Sequence, residues 1–315
     1  MEKLKTNNFP NLFIPGAAKS GTSTLYDLLN QHPEISMSST KEPFYMVHED
    51  FDSKINLLNS KYKELFNTED TIKYRGDAST AYMLFPNFIE RAKTQLNFQK
   101  KFIFILRNPV DRIYSAYWYI KGLGSESLDF KNAVLKDIHD EPSIKSMLPE
   151  GKFKHYFQYG LYGKWIKRFY DNFDSKDIKI ILFEDLKEDP LKIANECFRF
   201  LNLYEIDSID EFKSNETIIL KYPYIHKNAM KIIRGKVKFL KPLKFIIPKK
   251  FKIYIKNNVP NLIISKTKSN KKYPKLSTEE RNWLAELYKD DFLVLQKKTN
   301  LDFRKWKDFH QDVEI

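Results

Sequence analysis

Phe13-Ile14-Pro15-Gly16-Ala17-Ala18-Lys19-Ser20-Gly21-Thr22-Ser23-Thr24 is the stretch from which the rest of the chain can be read. Before it, Asn11-Leu12-Phe13-Ile14 has the look of a short buried strand. After it, Leu25, Leu28 and Leu29 recur at helical spacing. The pattern predicts a strand, a glycine-bounded turn and the start of a helix. Gly16 and Gly21 let the backbone curl close to a ligand. Successive N–H groups then face inward, and the helix N-terminus adds partial positive charge. Lys19 and the hydroxyls of Ser20, Thr22, Ser23 and Thr24 complete an anion cradle.

The spacing of Gly16, four residues, Gly21 and then Thr22-Ser23 is the skeleton of a nucleotide phosphate loop. An ATP or GTP loop sets its lysine directly after the second glycine. Here Thr22 holds that place and the lysine comes earlier, at Lys19. The competing reading is a tight strand-to-helix turn whose hydroxyls are merely solvated.

The 315 residues are 42% hydrophobic and 15% aromatic, enough to core one large α/β domain or two smaller ones. The 54 basic and 41 acidic residues leave a net charge of +13, which points to an anionic ligand or partner. That excess is local. Residues 221–275 hold 17 Lys plus Arg and no Asp or Glu, so the other 37 basic residues are outnumbered by the 41 acidic ones. Phe239-Leu240, Phe245-Ile246-Ile247 and Ile253 to Ile255 interleave with the charge. The stretch reads as a groove for an acidic glycan, as a contact with an anionic membrane, or as a lysine-rich solvated surface. No nucleic-acid motif accompanies it, so no nucleic-acid partner is expected. Cys197 is the sole cysteine, which excludes an intrachain disulfide and suits a reducing compartment. It sits in a helical apolar pattern and reads as core. Met1 to Thr6 carry charges without the apolar run of a signal peptide, and no run reaches the length of a membrane span. A cytoplasmic protein, or one peripheral to a membrane, is expected.

Lys101-Phe102-Ile103-Phe104-Ile105-Leu106 is a continuous apolar run of the kind found in a central parallel strand, and it ends at Arg107. Asn108-Pro109-Val110-Asp111 then offers a capping asparagine, a proline at the first helical position and an acid at the third. Further strands are predicted at 34–38, in the stretch opening at Tyr74, and at 178–183. Helices are predicted at 88–96, 161–169 and 190–203, and residues 122–155 as an irregular or helical excursion. A capping box, Ser277-x-x-Glu280, opens a last helix with Leu284, Leu287, Tyr288, Phe292 and Leu295 on its core face. Strands alternating with helices predict an α/β fold: a single P-loop-like domain with a central parallel β-sheet flanked by helices on both faces. Ligands in such sheets bind at the carboxyl ends of the strands. Arg107 and the Gly16–Thr24 loop both occupy such ends, so they are predicted to share one rim.

Four further motifs join the cradle: Lys41-Glu42-Pro43-Phe44; Gly76-Asp77-Ala78-Ser79-Thr80-Ala81-Tyr82; Ile105-Leu106-Arg107-Asn108-Pro109-Val110-Asp111-Arg112-Ile113-Tyr114-Ser115; and Phe183-Glu184-Asp185-Leu186 with Asp189-Pro190. Together they resemble the sulfotransferase superfamily that uses 3′-phosphoadenosine 5′-phosphosulfate (PAPS). The likeness is closest to the bacterial and heparan-sulfate-type carbohydrate branch. It covers residues 10–205 and 273–306. It implies one sulfotransferase domain over 1–315, with a core at 10–205, a basic segment at 206–275 covering the cofactor and acceptor cleft, and a C-terminal helix at 277–306.

The resemblance further implies transfer of the sulfuryl group to a hydroxyl, or an amine, of a carbohydrate acceptor, with 3′-phosphoadenosine 5′-phosphate (PAP) as product and no metal. Lys19, Ser20, Gly21, Thr22, Ser23 and Thr24 would hold the 5′-phosphosulfate, with Lys19 at the bridging oxygen. Arg107 and Ser115 would hold the 3′-phosphate, which Lys271 and Lys272 could also reach. Glu42 would be the general base, which a hydroxyl of high pKa needs. A small hydroxylated metabolite is the alternative acceptor. A P-loop nucleotide kinase or NTPase is the alternative of another class. Thr22 in the lysine position, and Arg107 where a magnesium-holding acid would end the strand, argue against it. Two departures from the heparan-sulfate branch bear on the acceptor: Ala78 replaces a lysine and Phe44 a frequent histidine.

Overall fold

The computed structural model describes residues 9–49, 51, 60–96, 98–143, 153–210 and 273–310, together with the backbone of 219–220 and 268–269. Lys271, Lys272 and nearly all of the basic stretch 221–275 lie outside the described residues, and with them its three readings.

In chain order the main elements are β1 (Leu12–Phe13), α1 (Thr22–Leu29), β2 (Ile35–Met37), β3 (Tyr74–Asp77), α2 (Pro86–Gln95), β4 (Lys101–Leu106) and α3 (Pro109–Gly122). There follow α4 (Phe130–Ile138), α5 (Tyr162–Tyr170), β5 (Ile178–Leu182), α6 (Phe183–Glu188), α7 (Pro190–Phe200) and α8 (Thr278–Lys298). The five strands β1 to β5 form one sheet in the order β2-β3-β1-β4-β5, and every pairing in it is parallel.

Alternation along the strands explains why helices cover both faces. Leu12, Ile103, Ile105 and Ile181 join one buried cluster with Leu25, Leu28 and Leu29 of α1 and Ile193, Ala194, Cys197 and Phe198 of α7. The intervening residues point the other way. Phe13 meets Phe88 of α2 at a ring-centroid distance of 5.3 Å, and Phe104 meets Phe169 of α5 at 4.8 Å. A strand buried on both faces cannot alternate apolar with polar, which is why β4 reads as an unbroken apolar run from Phe102 to Leu106. Cys197 is core as expected, and burial pushes its thiol up to about 12.

Contacts group the chain into two compact units. One comprises Met1–Arg112, Gln158–Asn215 and Thr278–Ile315; the other comprises Ile113–Phe157 and Glu216–Ser277. The sheet belongs to the first. In the second, Asp129 caps α4 by accepting from the Asn132 amide at 2.9 Å. There too Tyr114 packs edge-on against Phe130, and Trp118 stacks on Tyr273 at 5.8 Å. A two-residue antiparallel pair, β6 (Ile219–Leu220) with β7 (Lys268–Ser269), also lies in this unit.

In the first unit α5 starts without a cap of its own, because Leu161 precedes it. Asp291 of α8 supplies one from 128 residues away: its carboxylate accepts from the Gly163 amide at 2.8 Å and the Lys164 amide at 2.7 Å. Burial pushes this carboxyl up to about 6, against the pull of the two amides and Lys164. Gly163 permits the approach, since a Cβ there would lie 2.2 Å from the Asp291 carbonyl oxygen. Removing the carboxylate takes the cap from both amides, of which Lys164 N is open to solvent and Gly163 N is partly buried. Asp291→Ala is therefore expected to lower the unfolding free energy by about 1–2 kcal/mol. Urea denaturation of the variant measures this; an unchanged midpoint would mean that α5 needs no cap from α8.

Candidate active site

The cradle is pinned between two strands. The Ile14 amide donates to Asp77 O on β3 at 2.9 Å, Ala17 N to Ile105 O on β4 at 2.8 Å, and Ile105 N back to Gly16 O at 2.9 Å. The loop then turns through two left-handed residues, Lys19 (φ 68°) and Gly21 (φ 93°). Gly21 serves twice: the conformation disfavours a side chain, and a Cβ would sit 2.7 Å from the Phe183 ring. α1 begins at Thr22 with Gly21 as its cap residue, so no side chain caps the first turn, and no acid lies in that turn. Its amides and dipole are left for an anion. Ser20 is fully buried. Its Oγ lies beside the Tyr162 hydroxyl without hydrogen-bond geometry to any described group. A buried hydroxyl without a partner in a phosphate-type loop suits an anionic oxygen.

Arg107 stands at the end of β4, on the rim it was expected to share with the cradle. Its Nη1 reaches the Lys19 carbonyl at 3.5 Å, and its guanidinium lies over the Phe183 ring at 5.1 Å. The turn behind it is heavily braced. Asn108 caps α3 as its sequence predicts, accepting from the Val110 amide at 3.0 Å. Glu184 accepts from the Asn108 amide and from Trp306 Nε1, each at 3.0 Å. Asp308 accepts from Asn108 Nδ2 at 2.6 Å and is itself held by Arg281. Tyr162 donates to the Arg107 carbonyl at 2.9 Å. The Phe183-Glu184 motif thus braces Arg107, a role its spacing gave no means to read. Ser115 is buried on α3, within the second unit.

Glu42 sits on a strained turn, with φ of 56° at Glu42 and 57° at Phe44. Few non-glycine residues adopt such angles, and they cluster at functional sites. Glu42 Oε1 accepts from Thr80 Oγ1 at 2.9 Å and lies 3.6 Å from Lys41 Nζ. The buried Tyr159 phenol hydrogen-bonds Thr80; burial, then the charge of Glu42, raise its pKa. Neither Thr80 nor Tyr159 was picked out from sequence. Thr80 lay within a quoted motif without a role, and nothing local marked Tyr159. The segment bearing Thr80 also touches the cradle: Met83 N donates to Pro15 O at 3.0 Å, and a Cβ on Gly16 would meet Met83 Sδ at 2.7 Å. Ala78 is fully buried in the α1-side core. Among the described residues no group of three or more His, Cys, Asp or Glu is arranged to hold a metal ion.

The model of the sulfotransferase domain family matches residues 9–238. This chain belongs to that family. Among curated relatives, the membrane-associated sulfotransferase kil1 of Dictyostelium discoideum is 32% identical over 139 residues, covering 43% of this chain and 28% of that one. Human carbohydrate sulfotransferase 15 is 24% identical over 246 residues, covering 62% of this chain and 44% of that one. The chain thus spans less than half the length of either. A sulfotransferase structure from Alicyclobacillus acidocaldarius superposes with a TM-score of 0.64 at 24% identity, covering 95% of this chain and 98% of that one. That likeness speaks for the sulfotransferase fold. No helix among the described residues is long and apolar enough to cross a membrane.

Proposed function

We propose that this protein transfers the sulfuryl group of PAPS to a hydroxyl of a carbohydrate. The observation that carries the proposal is the cradle itself: an uncapped helix start and a buried unpartnered Ser20 hydroxyl, with the Arg107 guanidinium on the same rim. Such a site favours a ligand with separate anionic groups. Family membership supports the reaction class. The carbohydrate acceptor rests on relatives such as carbohydrate sulfotransferase 15, which are longer than this chain. The basic stretch 221–275 is assigned to an acidic glycan or an anionic membrane surface on its charge alone.

Each group has a task that its chemistry fits. Ser20, Gly21, Thr22, Ser23 and Thr24 offer hydroxyls and main-chain amides to the 5′-phosphosulfate. Lys19 puts a cation at the bridging oxygen, where charge gathers as the bond to sulfur breaks. Arg107 takes the 3′-phosphate. Ser115, six residues beyond Pro109 and about 9 Å along the α3 axis, is assigned to the same group. Glu42 accepts the proton of the acceptor hydroxyl, with Thr80 fixing the other side of its carboxylate. The donor supplies an activated sulfuryl group. It carries less negative charge than a phosphoryl, so a lysine and amides suffice to balance it.

Titration calorimetry with PAP, without magnesium, tests the assignment. Wild type is expected to bind at micromolar Kd, and Arg107→Ala to weaken binding about 100-fold, equivalent to about 2.7 kcal/mol. Absence of PAP binding, with ATP–magnesium bound instead, would replace this reading with a nucleotide kinase or NTPase.

A further inference from the structure

A fully buried carboxylate stands behind the two loops of the site. Asp77, at the end of β3, has no exposed surface. Burying a carboxylate costs several kcal/mol unless donors surround it. Three do. Tyr62 and Tyr82 donate their hydroxyls to Oδ2 at 2.5 and 2.8 Å, and the Ser79 amide donates to Oδ1 at 2.9 Å. Burial raises Asp77 above the ordinary carboxylate range while these donors pull it down, and both phenols are raised well above theirs.

The groups that Asp77 holds are the ones that grip the turn carrying Glu42. Ser79 Oγ accepts from the Phe44 amide at 3.0 Å, and Tyr82 OH accepts from the Met46 amide at 3.2 Å. Because Met46 donates to it, the Tyr82 hydroxyl has its own proton available for Asp77. The Tyr62 ring stacks on Tyr45, between those two amides, at 4.9 Å. Left-handed φ values at Glu42 and Phe44 each cost on the order of 1 kcal/mol, so this turn needs outside contacts to stay in place. The same short segment presents Thr80 to Glu42 and Met83 to the cradle.

We propose that Asp77 is a positioning residue for sulfuryl transfer: acting through Ser79 and Tyr82, it fixes the Glu42 turn at a set place relative to the cradle. The proposal rests on the reading of Glu42 as the base. It predicts that loosening the network costs turnover without costing donor affinity, because the cradle is held to Asp77 and Met83 by main-chain atoms that side-chain variants retain, and to β4 on its other side.

Three variants test it. Ser79→Ala and Tyr82→Phe each remove one acceptor from the turn, and Tyr82→Phe keeps the ring that stacks on Phe88 at 4.3 Å. Asp77→Asn alters the hub itself. Amide hydrogen exchange is expected to quicken at least 10-fold at Phe44 and Met46, and to stay at the wild-type rate at Ala17 and Ile105. PAP affinity should stay within about two-fold of wild type. Release of PAP from PAPS, with water as acceptor, should fall about 10-fold in kcat with KM for PAPS unchanged. Wild-type exchange at Phe44 and Met46 in Ser79→Ala and Tyr82→Phe would overturn the proposal. So would exchange quickened throughout the chain, or a loss of PAP affinity matching the loss of kcat, since either would make the network merely structural. Failure of wild type to bind PAP would instead sink the functional reading, and the exchange rates would still decide whether Asp77 holds the turn.

Discussion

Glu42→Gln is expected to lower sulfuryl transfer by about 100- to 10,000-fold while PAP affinity stays at the wild-type value. The substitution keeps size and shape. The amide oxygen can still accept from Thr80 Oγ1, now 2.9 Å from Glu42 Oε1, so the turn loses no anchor on that side. What disappears is the capacity to take a proton. A neutral hydroxyl is a poor nucleophile, and positioned general bases contribute factors of this size, about 3–5 kcal/mol of barrier. The acidic limb of the kcat–pH profile should vanish with it, because that limb reports protonation of the base. The competing account makes Glu42 a solvated turn carboxylate paired with Lys41. The side chain is only 10% exposed, and the backbone beneath it holds a left-handed conformation that a solvated turn has no need to keep. Wild-type turnover in Glu42→Gln, measured with radiolabelled PAPS, would favour that account and move the base elsewhere.

The parts of the fold set by local chemistry were legible in the sequence. The five apolar residues Phe102 to Leu106 of β4, led in by Lys101, form the strand at the limits read for it, because burial on both faces favours apolar side chains throughout. Asn108 and Pro109 open α3 where capping chemistry places them. The shared rim of Arg107 and the cradle followed from parallel strands ending side by side. Features made by distant partners were not legible. The strand predicted at 178–183 stops at Leu182, and the Phe183-Glu184-Asp185-Leu186 motif forms α6, with Glu184 turned to brace Asn108 and Trp306. Asp291 looks like one more acid on an amphipathic helix until α8 packs on α5. The left-handed angles at Glu42 and Phe44 fall on residue types that rarely adopt them, so composition gave no sign of the strain. The network around Asp77 joins residues 36 and 38 positions apart, a pairing that only the sheet order creates.

Lys19→Ala should cut turnover about 100- to 1,000-fold, the scale of losing one preorganised group at a developing charge. The backbone makes this a cleaner experiment than it first looks. Lys19 holds φ of 68°, a region costly for any residue with a Cβ, so alanine inherits the same strain as lysine. The carbonyl that Arg107 reaches belongs to the main chain and is retained. The loss therefore isolates the ammonium group. Lys19→Gly would add a second change by releasing the strain, and it should leave a looser cradle with weaker PAP binding. If Lys19 acts at the bridging oxygen, its charge matters most as the sulfuryl group departs, so kcat should fall by more than PAP affinity does. Equal losses in both would make Lys19 a ground-state anchor for the phosphate. The balancing of departing charge would then pass to the amides and hydroxyls of Thr22, Ser23 and Thr24 at the start of α1, where Gly21 supplies no side-chain cap and the first turn carries no acid.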